Sequence, residues 1–291
     1  MTRLAVAGTL FAMHPAYLDA WLKQSAIEAM LPESIQQLAA AFGRGPAEAA
    51  NPDPIREGAT AIVPVRGLLG PTGMGARTET NILAERIRSL AADPKVGAIV
   101  LDIQSPGGYV FGTQEAGDAI FEARSAKPVV AVANTYAYSA AYWLASQCSA
   151  FFATPSGEVG SVGVRLAHSD QSEFENKIGI KTTLIASHPD KISAHPYAPL
   201  ADVDLQELQA LVDDSNVKFI AAIARGRGMT ASQVPGVHGS GKSFSAEKAT
   251  TNGAIDGVMT LRDVVAKYSS SRARLSLMKR QAAARGAAAL I

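Results

Sequence analysis

Cysteine is almost absent from this 291-residue chain, occurring once, as Cys148. A single thiol excludes an internal disulfide framework and any thiolate-cluster metal site, and it is compatible with a reducing compartment. Charge is also scarce, at 18% of residues, against about 25% in ordinary globular chains. That shortfall leaves little polar surface and points to surface covered by other subunits. Neither sign dominates: 27 basic residues face 26 acidic ones, so no global field favours nucleic acid or an anionic membrane. No run approaches the roughly 20 consecutive apolar residues of a membrane-spanning helix. The run Leu4 to Met13, after Arg3, has about the minimum length of a signal peptide, but no clean small-residue cleavage site follows it. The composition therefore predicts a protein without a stable membrane anchor, placed in the cytoplasm.

What the chain has in quantity is apolar residues, 47% of the total, ample for a sizeable core. Residues 1–58 read as an N-terminal extension: Trp21, Leu22, Ile27, Met30 and Leu31, then Ile35, Leu38 and Phe42, recur at helical spacing. A linker rich in Gly, Pro, Ala and Asn follows over 43–58. From residue 59 the rhythm becomes that of short apolar runs alternating with amphipathic stretches. Strands are predicted over 61–65, 97–101, 128–133, 151–152, 159–164 and 181–185; helices over 81–92, 113–124, 139–146 and 204–225. That alternation predicts an α/β domain with a mainly parallel sheet over 59–270. Residues 271–291 carry Arg272, Arg274, Lys279, Arg280 and Arg285 with no acid, a basic Ala-rich tail.

Three motifs bear on chemistry. Gly236-Val-His-Gly-Ser-Gly241-Lys242-Ser243 satisfies the P-loop pattern G-x-x-x-x-G-K-S/T, but such a loop cradles phosphate only between a buried strand and a helix. The preceding residues 225–235 do not read as a buried strand, so the match is taken as accidental. Ser105-Pro-Gly-Gly108 follows a predicted strand; its glycines let the backbone turn sharply and expose amide N–H groups, the material of an oxyanion hole. Ser139-Ala-Ala-Tyr142 opens a predicted helix, where a serine is either an N-cap or a group held in a positive field beside its own following amide.

Taken together and in order, Ile99-Val-Leu-Asp-Ile-Gln-Ser-Pro-Gly-Gly108, Ser139-Ala-Ala-Tyr142, Val159-Gly-Ser-Val-Gly-Val164 and Gly253-Ala-Ile-Asp-Gly-Val258 resemble the S49 family of serine peptidases. The resemblance runs from about Ala61 to Val258. It implies a ClpP/crotonase-like core of repeated ββα units and a Ser-Lys dyad, with Ser139 as nucleophile and Lys191 as base. It further implies an oxyanion hole of Gly107, Gly108 and the Ala140 amide, and Ser161 as the side chain orienting the lysine. A lysine is almost wholly protonated at neutral pH, so the base role requires burial that disfavours the ammonium. Residues His188-Pro-Asp190 stand where the family has glycine and a small residue, which places a carboxylate next to Lys191 in the chain.

A histidine triad, as in Clp-type peptidases, is the competing reading and would use His168 and Asp213. The remaining histidines, His14, His188, His195 and His238, lack metal-ligand spacing, so no metal and no cofactor are expected. Cys148 reads as a small core residue. The segment around His168, the stretch His195-Pro-Tyr197-Ala-Pro-Leu200 and the early His14-Pro15 resemble the phage head-maturation branch of the family. That branch implies scaffold, capsid or portal proteins as substrates, in the host cytoplasm or the prohead interior. It also implies a homo-oligomer whose active sites are shared between subunits. The alternatives are a bacterial signal-peptide-peptidase-like enzyme, a catalytically silent assembly scaffold, and a crotonase-like acyl-CoA enzyme that uses backbone amides alone.

Overall fold

A computed structural model describes residues 10–13 and 51–269. These fall into two compact units. The larger comprises residues 12–13, 51–163 and 218–269, and the smaller residues 10–11 and 164–217. Of the expected helical extension before residue 51, residues 10–13 are described and Phe11–Met13 is a strand; its other residues and the basic tail over 271–291 lie outside the described residues.

Short β1 (Phe11–Met13) and β2 (Ile55–Glu57) precede β3 (Thr60–Arg66). The pair β2 and β3 runs antiparallel, Ile55 opposite Ile62, so part of the expected linker is sheet. Then follow β4 (Leu69–Gly70), β5 (Thr78–Glu79), α1 (Thr80–Ala92), β6 (Ala98–Ser105), β7 (Gly107–Tyr109), α2 (Thr113–Ala126) and β8 (Val129–Tyr138). After α3 (Ala140–Ser146) come β9 (Ala150–Ala153) and β10 (Glu158–Gly160). The main sheet is parallel from β3 through β6 to β8. Beyond β8 one edge is shared: β9 pairs with Val130–Ala133 and β10 with Tyr136–Tyr138, both parallel to it.

Covered on both faces, the central strands read as near-continuous apolar runs; Ile99, Val100, Leu101, Ile103 and Val129 to Ala133 are all fully buried. Helix α1 buries Leu83, Ala84, Ile87 and Leu90, one stripe at helical spacing, and stops at Asp93 before Pro94, whose ring disfavours helix in the residue before it. Helix α2 starts after Gly112, at φ 78°, where a Cβ would lie 2.3 Å from the Thr80 hydroxyl; it buries Ala116, Ala119, Ile120 and Ala123.

The smaller unit holds α4 (Ser172–Lys177), a 3-10 turn over Pro189–Ile192 and the start of α5 (Asp202–Arg227), whose stretch from Lys218 belongs to the larger unit. The strand predicted over 181–185 is absent: Lys181 to Ile185 pairs with no strand, and Ile185 is 95% exposed. Beta propensity alone does not make a strand when no neighbour offers an edge. The larger unit resumes with α6 (Val234–His238), β11 (Ser243–Ser245), α7 (Ala246–Thr251), β12 (Gly257–Val258) and α8 (Leu261–Tyr268). Val264 and Val265 of α8 cover Ile62, Val100, Val130, Val132 and Phe152 on one sheet face. None of the described helices is long and apolar enough to cross a membrane.

Candidate active site

The chain passes from β8 into α3 with no loop, and Ser139 is the one residue between them. Its backbone has φ 52° and ψ −114°, a conformation an L side chain adopts only when its surroundings enforce it. Three hydrogen bonds do so. Its amide donates to the Gly160 carbonyl at 2.8 Å, its carbonyl accepts from the Trp143 amide at 2.8 Å, and its hydroxyl points at the Gly163 carbonyl, 3.4 Å away. Ser139, Ala140 and Ala141 are wholly buried. As the first residue of α3, Ala140 has an amide with no intrahelical acceptor, directly beside the serine.

Gly107 adjoins this elbow. A Cβ there would stand 2.9 Å from the carbonyl of Tyr138, the residue before Ser139, and 2.2 Å from that of Ala12; φ is 97°. At Gly108 a Cβ would lie 1.9 Å from the Leu69 carbonyl, so only glycine fits either position. The Gly107 amide already donates to the Ser105 hydroxyl at 3.1 Å, and Ser105 in turn donates to the Gly67 carbonyl at 2.6 Å.

Ser161 is brought to the same end of the sheet. Strands β8 and β10 run parallel with Tyr138 opposite Gly160, which places Ser139 and Ser161 one step beyond the paired ends. Ser161 too has a positive φ, 55°, and is buried. Its amide donates to the Lys242 carbonyl at 2.7 Å, and the Gly241 amide donates to the Val162 carbonyl at 2.7 Å. The segment 160–163 is thus held by the serine elbow and by the turn at 241–242, a support that sequence reasoning missed. The P-loop-like string contains that turn. It runs from helix α6 through a turn into strand β11, the reverse of the strand-to-helix order that phosphate binding requires.

Lys191 belongs to the smaller unit, exposed on the 3-10 turn. Its neighbour Asp190 is paired with His188 at 3.2 Å. In the same unit His168 directs Nε2 at the His195 carbonyl, 3.4 Å away, while Asp213 accepts from Gln209 at 2.8 Å; the two triad candidates are engaged elsewhere. No cluster of three or more metal-ligating side chains occurs among the described residues.

Behind the elbow lies a buried polar group. Tyr142 of α3 hydrogen-bonds through its hydroxyl to His238 Nδ1 and to the Ala254 carbonyl, the latter at 3.0 Å. Burial, then the Arg227 guanidinium, lowers the His238 pKa to about 4, and burial pushes the Tyr142 phenol up. Asp256 accepts from both terminal nitrogens of Arg227 at 2.9 Å and from the Phe151 amide at 2.6 Å. Burial works against its charge, but these donors hold the carboxyl below its ordinary range. Burial likewise pushes the Cys148 thiol up, as befits a core residue.

The family model for peptidase family S49 matches residues 122–275. Capsid assembly protease C of Escherichia phage lambda is 32% identical over 206 residues, 71% of this chain and 46% of that protein. Head-tail preconnector protein GP5 of Enterobacteria phage P21 is 29% identical over 210 residues, covering 70% and 42%. Protease 4 of Salmonella typhi is 31% identical over 207 residues, covering 66% and 32%. The chain thus spans less than half the length of each of these relatives.

Proposed function

The chain belongs to peptidase family S49, and on that footing we propose that it is a serine endopeptidase cleaving peptide bonds through an acyl-enzyme on Ser139, with Lys191 as general base. The observation that carries this reading is the strained elbow: a buried serine at φ 52°, at the start of a helix, with Gly107 against the carbonyl that precedes it. Evolved strain at a polar side chain is characteristic of a nucleophile presented at a strand-to-helix turn.

In this reading a second copy of the chain covers Lys191, which is exposed in the single chain, and its amine takes the proton of the Ser139 hydroxyl as Oγ attacks the substrate carbonyl. The developing oxyanion receives hydrogen bonds from the amides of Gly108 and Ala140. Gly107, whose own amide is engaged by Ser105, completes the hole by letting the backbone approach. The lysine ammonium then protonates the leaving amine, and the regenerated amine activates the water that releases the acyl group. Ser161 orients the lysine. The core is of the ClpP/crotonase-like kind, in keeping with the parallel β3–β6–β8 order.

Two relatives are phage head proteins by name, which supports scaffold, capsid or portal proteins as substrates, in the host cytoplasm or prohead interior. A homo-oligomer with sites shared between subunits fits this reading, and the exposed apolar side chains of Phe174, Ile178, Ile180 and Ile185 offer surface that a partner would cover. Covalent labelling with a fluorophosphonate, read by intact mass, tests the dyad. Wild type takes one label, and Ser139→Ala and Lys191→Ala take none. Labelling that survives Lys191→Ala but fails in His168→Ala moves the base role to histidine.

A further inference from the structure

Among the described residues the mechanism leaves unused the buried titratable pair Tyr142 and His238. Tyr142 stands three residues after Ser139, one turn along the same helix. His238 closes α6 and leads straight into the turn whose Gly241 and Lys242 hold Val162 and Ser161. Both side chains are fully buried. Their rings meet edge to face, centroids 5.7 Å apart, and Phe151 packs on Tyr142 in the same manner at 5.5 Å.

The donors fix the tautomer. Tyr142 has one hydroxyl proton, and the Ala254 carbonyl at 3.0 Å takes it. The contact with His238 then needs the proton on Nδ1, which donates to the phenol oxygen. Nε2 is left as a buried acceptor without a partner, at a cost of about 1–3 kcal/mol in general for such a group. A neutral ring is what burial and the Arg227 guanidinium both favour.

We infer that the Tyr142–His238 hydrogen bond is a positioning element: it ties the nucleophile helix to the 239–242 turn, and through that turn sets Ser161 and the Gly163 carbonyl against Ser139. This rests on the reading of Ser139 as nucleophile. The connection forms a closed circuit. It runs from Ser139 through α3 to Tyr142, across to His238, along the turn to Lys242, back to Ser161, and through Gly160 and Gly163 to Ser139 again. Each non-covalent link in it is a hydrogen bond, and two of its backbone positions, Ser139 and Ser161, are non-glycine residues at positive φ. A circuit of this kind holds strain that no single contact maintains. Neither Tyr142 nor His238 touches the reacting atoms in this scheme; both act through Ser161 and the elbow.

The test uses the full chain with Tyr142→Phe, His238→Leu and His238→Asn, the last keeping a nitrogen at the δ position. Amide exchange is followed at Ser161 and Gly241, with Val100 and Leu101 in the central sheet as reference. The rate of fluorophosphonate labelling is measured below the melting range. Tyr142→Phe and His238→Leu are expected to speed exchange at Ser161 and Gly241 by about tenfold while the reference amides hold. The same variants slow labelling by about tenfold or more, since a displacement of an ångström at a catalytic group has effects of that order or larger, and His238→Asn recovers most of both. Wild-type protection at Ser161 in Tyr142→Phe overturns the inference whatever the label does. So does a rise in exchange that is uniform across the sheet, which marks a loss of global stability only. A wild type that takes no label counts instead against the peptidase reading, and the Ser161 exchange still decides the positioning role.

Discussion

Ser139 donates its backbone amide to the carbonyl of Gly160 at 2.8 Å, so the bend from β8 into α3 is anchored by the strand alongside. The anchor holds a serine at φ 52° and ψ −114°, where an L residue carries roughly 1–3 kcal/mol of strain.

That strain predicts an ordering of two variants. Ser139→Gly is expected to melt above Ser139→Ala, because glycine adopts this conformation freely while alanine keeps the Cβ. Glycine's larger unfolded-state entropy offsets part of the gain, leaving about 1 kcal/mol, or roughly 2–4 °C. Both variants lose labelling. Equal melting temperatures for the two would show that the bend stores no strain.

Gly107 and Gly108 admit no side chain. Alanine at 108 would place its Cβ 1.9 Å from the Leu69 carbonyl, and at 107 would place it 2.2 Å from that of Ala12. Each substitution is expected to cost at least about 1–3 kcal/mol, the usual price of overpacking, and to abolish peptidase activity. The measurement is thermal melting alongside hydrolysis of an unfolded protein substrate. A fully active Gly108→Ala with wild-type melting would remove Gly108 from the proposed oxyanion hole.

Acid should destabilise the fold through His238. An unfolded histidine takes its proton near the ordinary value of 6.5, whereas the folded ring resists until about 4. Across that window the unfolded chain binds more protons, so stability falls as pH drops, by on the order of 3 kcal/mol for this residue. Asp256 acts in the same direction at lower pH, as its carboxylate gives up the Arg227 contact. Urea midpoints of wild type and His238→Asn, compared between pH 7 and pH 4, isolate the histidine. Parallel pH curves for the two proteins would exclude it as the source.

Cys148 is buried and its thiol is pushed up in pKa by that burial. Thiol reagents that require the thiolate are expected to leave the native protein unmodified and to add one group after unfolding in guanidinium. Rapid native modification would place the thiol in a solvent-reached site.

The fold was legible where local pattern and tertiary context agree. Leu83, Ala84, Ile87 and Leu90 recur at helical spacing and form the buried stripe of α1, and the apolar run Ala98 to Leu101 is a strand covered on both faces. Lys181 to Ile185 has the residues of a strand but meets no partner edge. Conversely, Ile55–Glu57 sits in a stretch rich in loop formers and pairs with β3. At the site, Ser139 and the two glycines stood out as motifs, but nothing local gives the φ of Ser139. The pairing of β10 with β11 joins Val159 to Phe244, a separation over which sequence periodicity carries no signal. For that reason Gly236 to Ser243 read only as a chance P-loop, and its backbone support of Ser161 was hidden.

The division of β8 between two neighbours gives the strand a firmly held root and a lightly held tip. Its first half, Val130 to Ala133, is clamped between β6 and β9, while the tip at Tyr136 to Tyr138 pairs with β10 and meets β6 at Ala137 only. Between the halves, Thr135 at φ 95° interrupts the regular strand. The tip has fewer pairings to lose than the root, so local opening reaches Ser139 before it reaches the sheet that carries it. Fluorophosphonate labelling is therefore expected to fall off below the temperature at which the sheet unfolds, while the amides of Val100 and Leu101 stay protected.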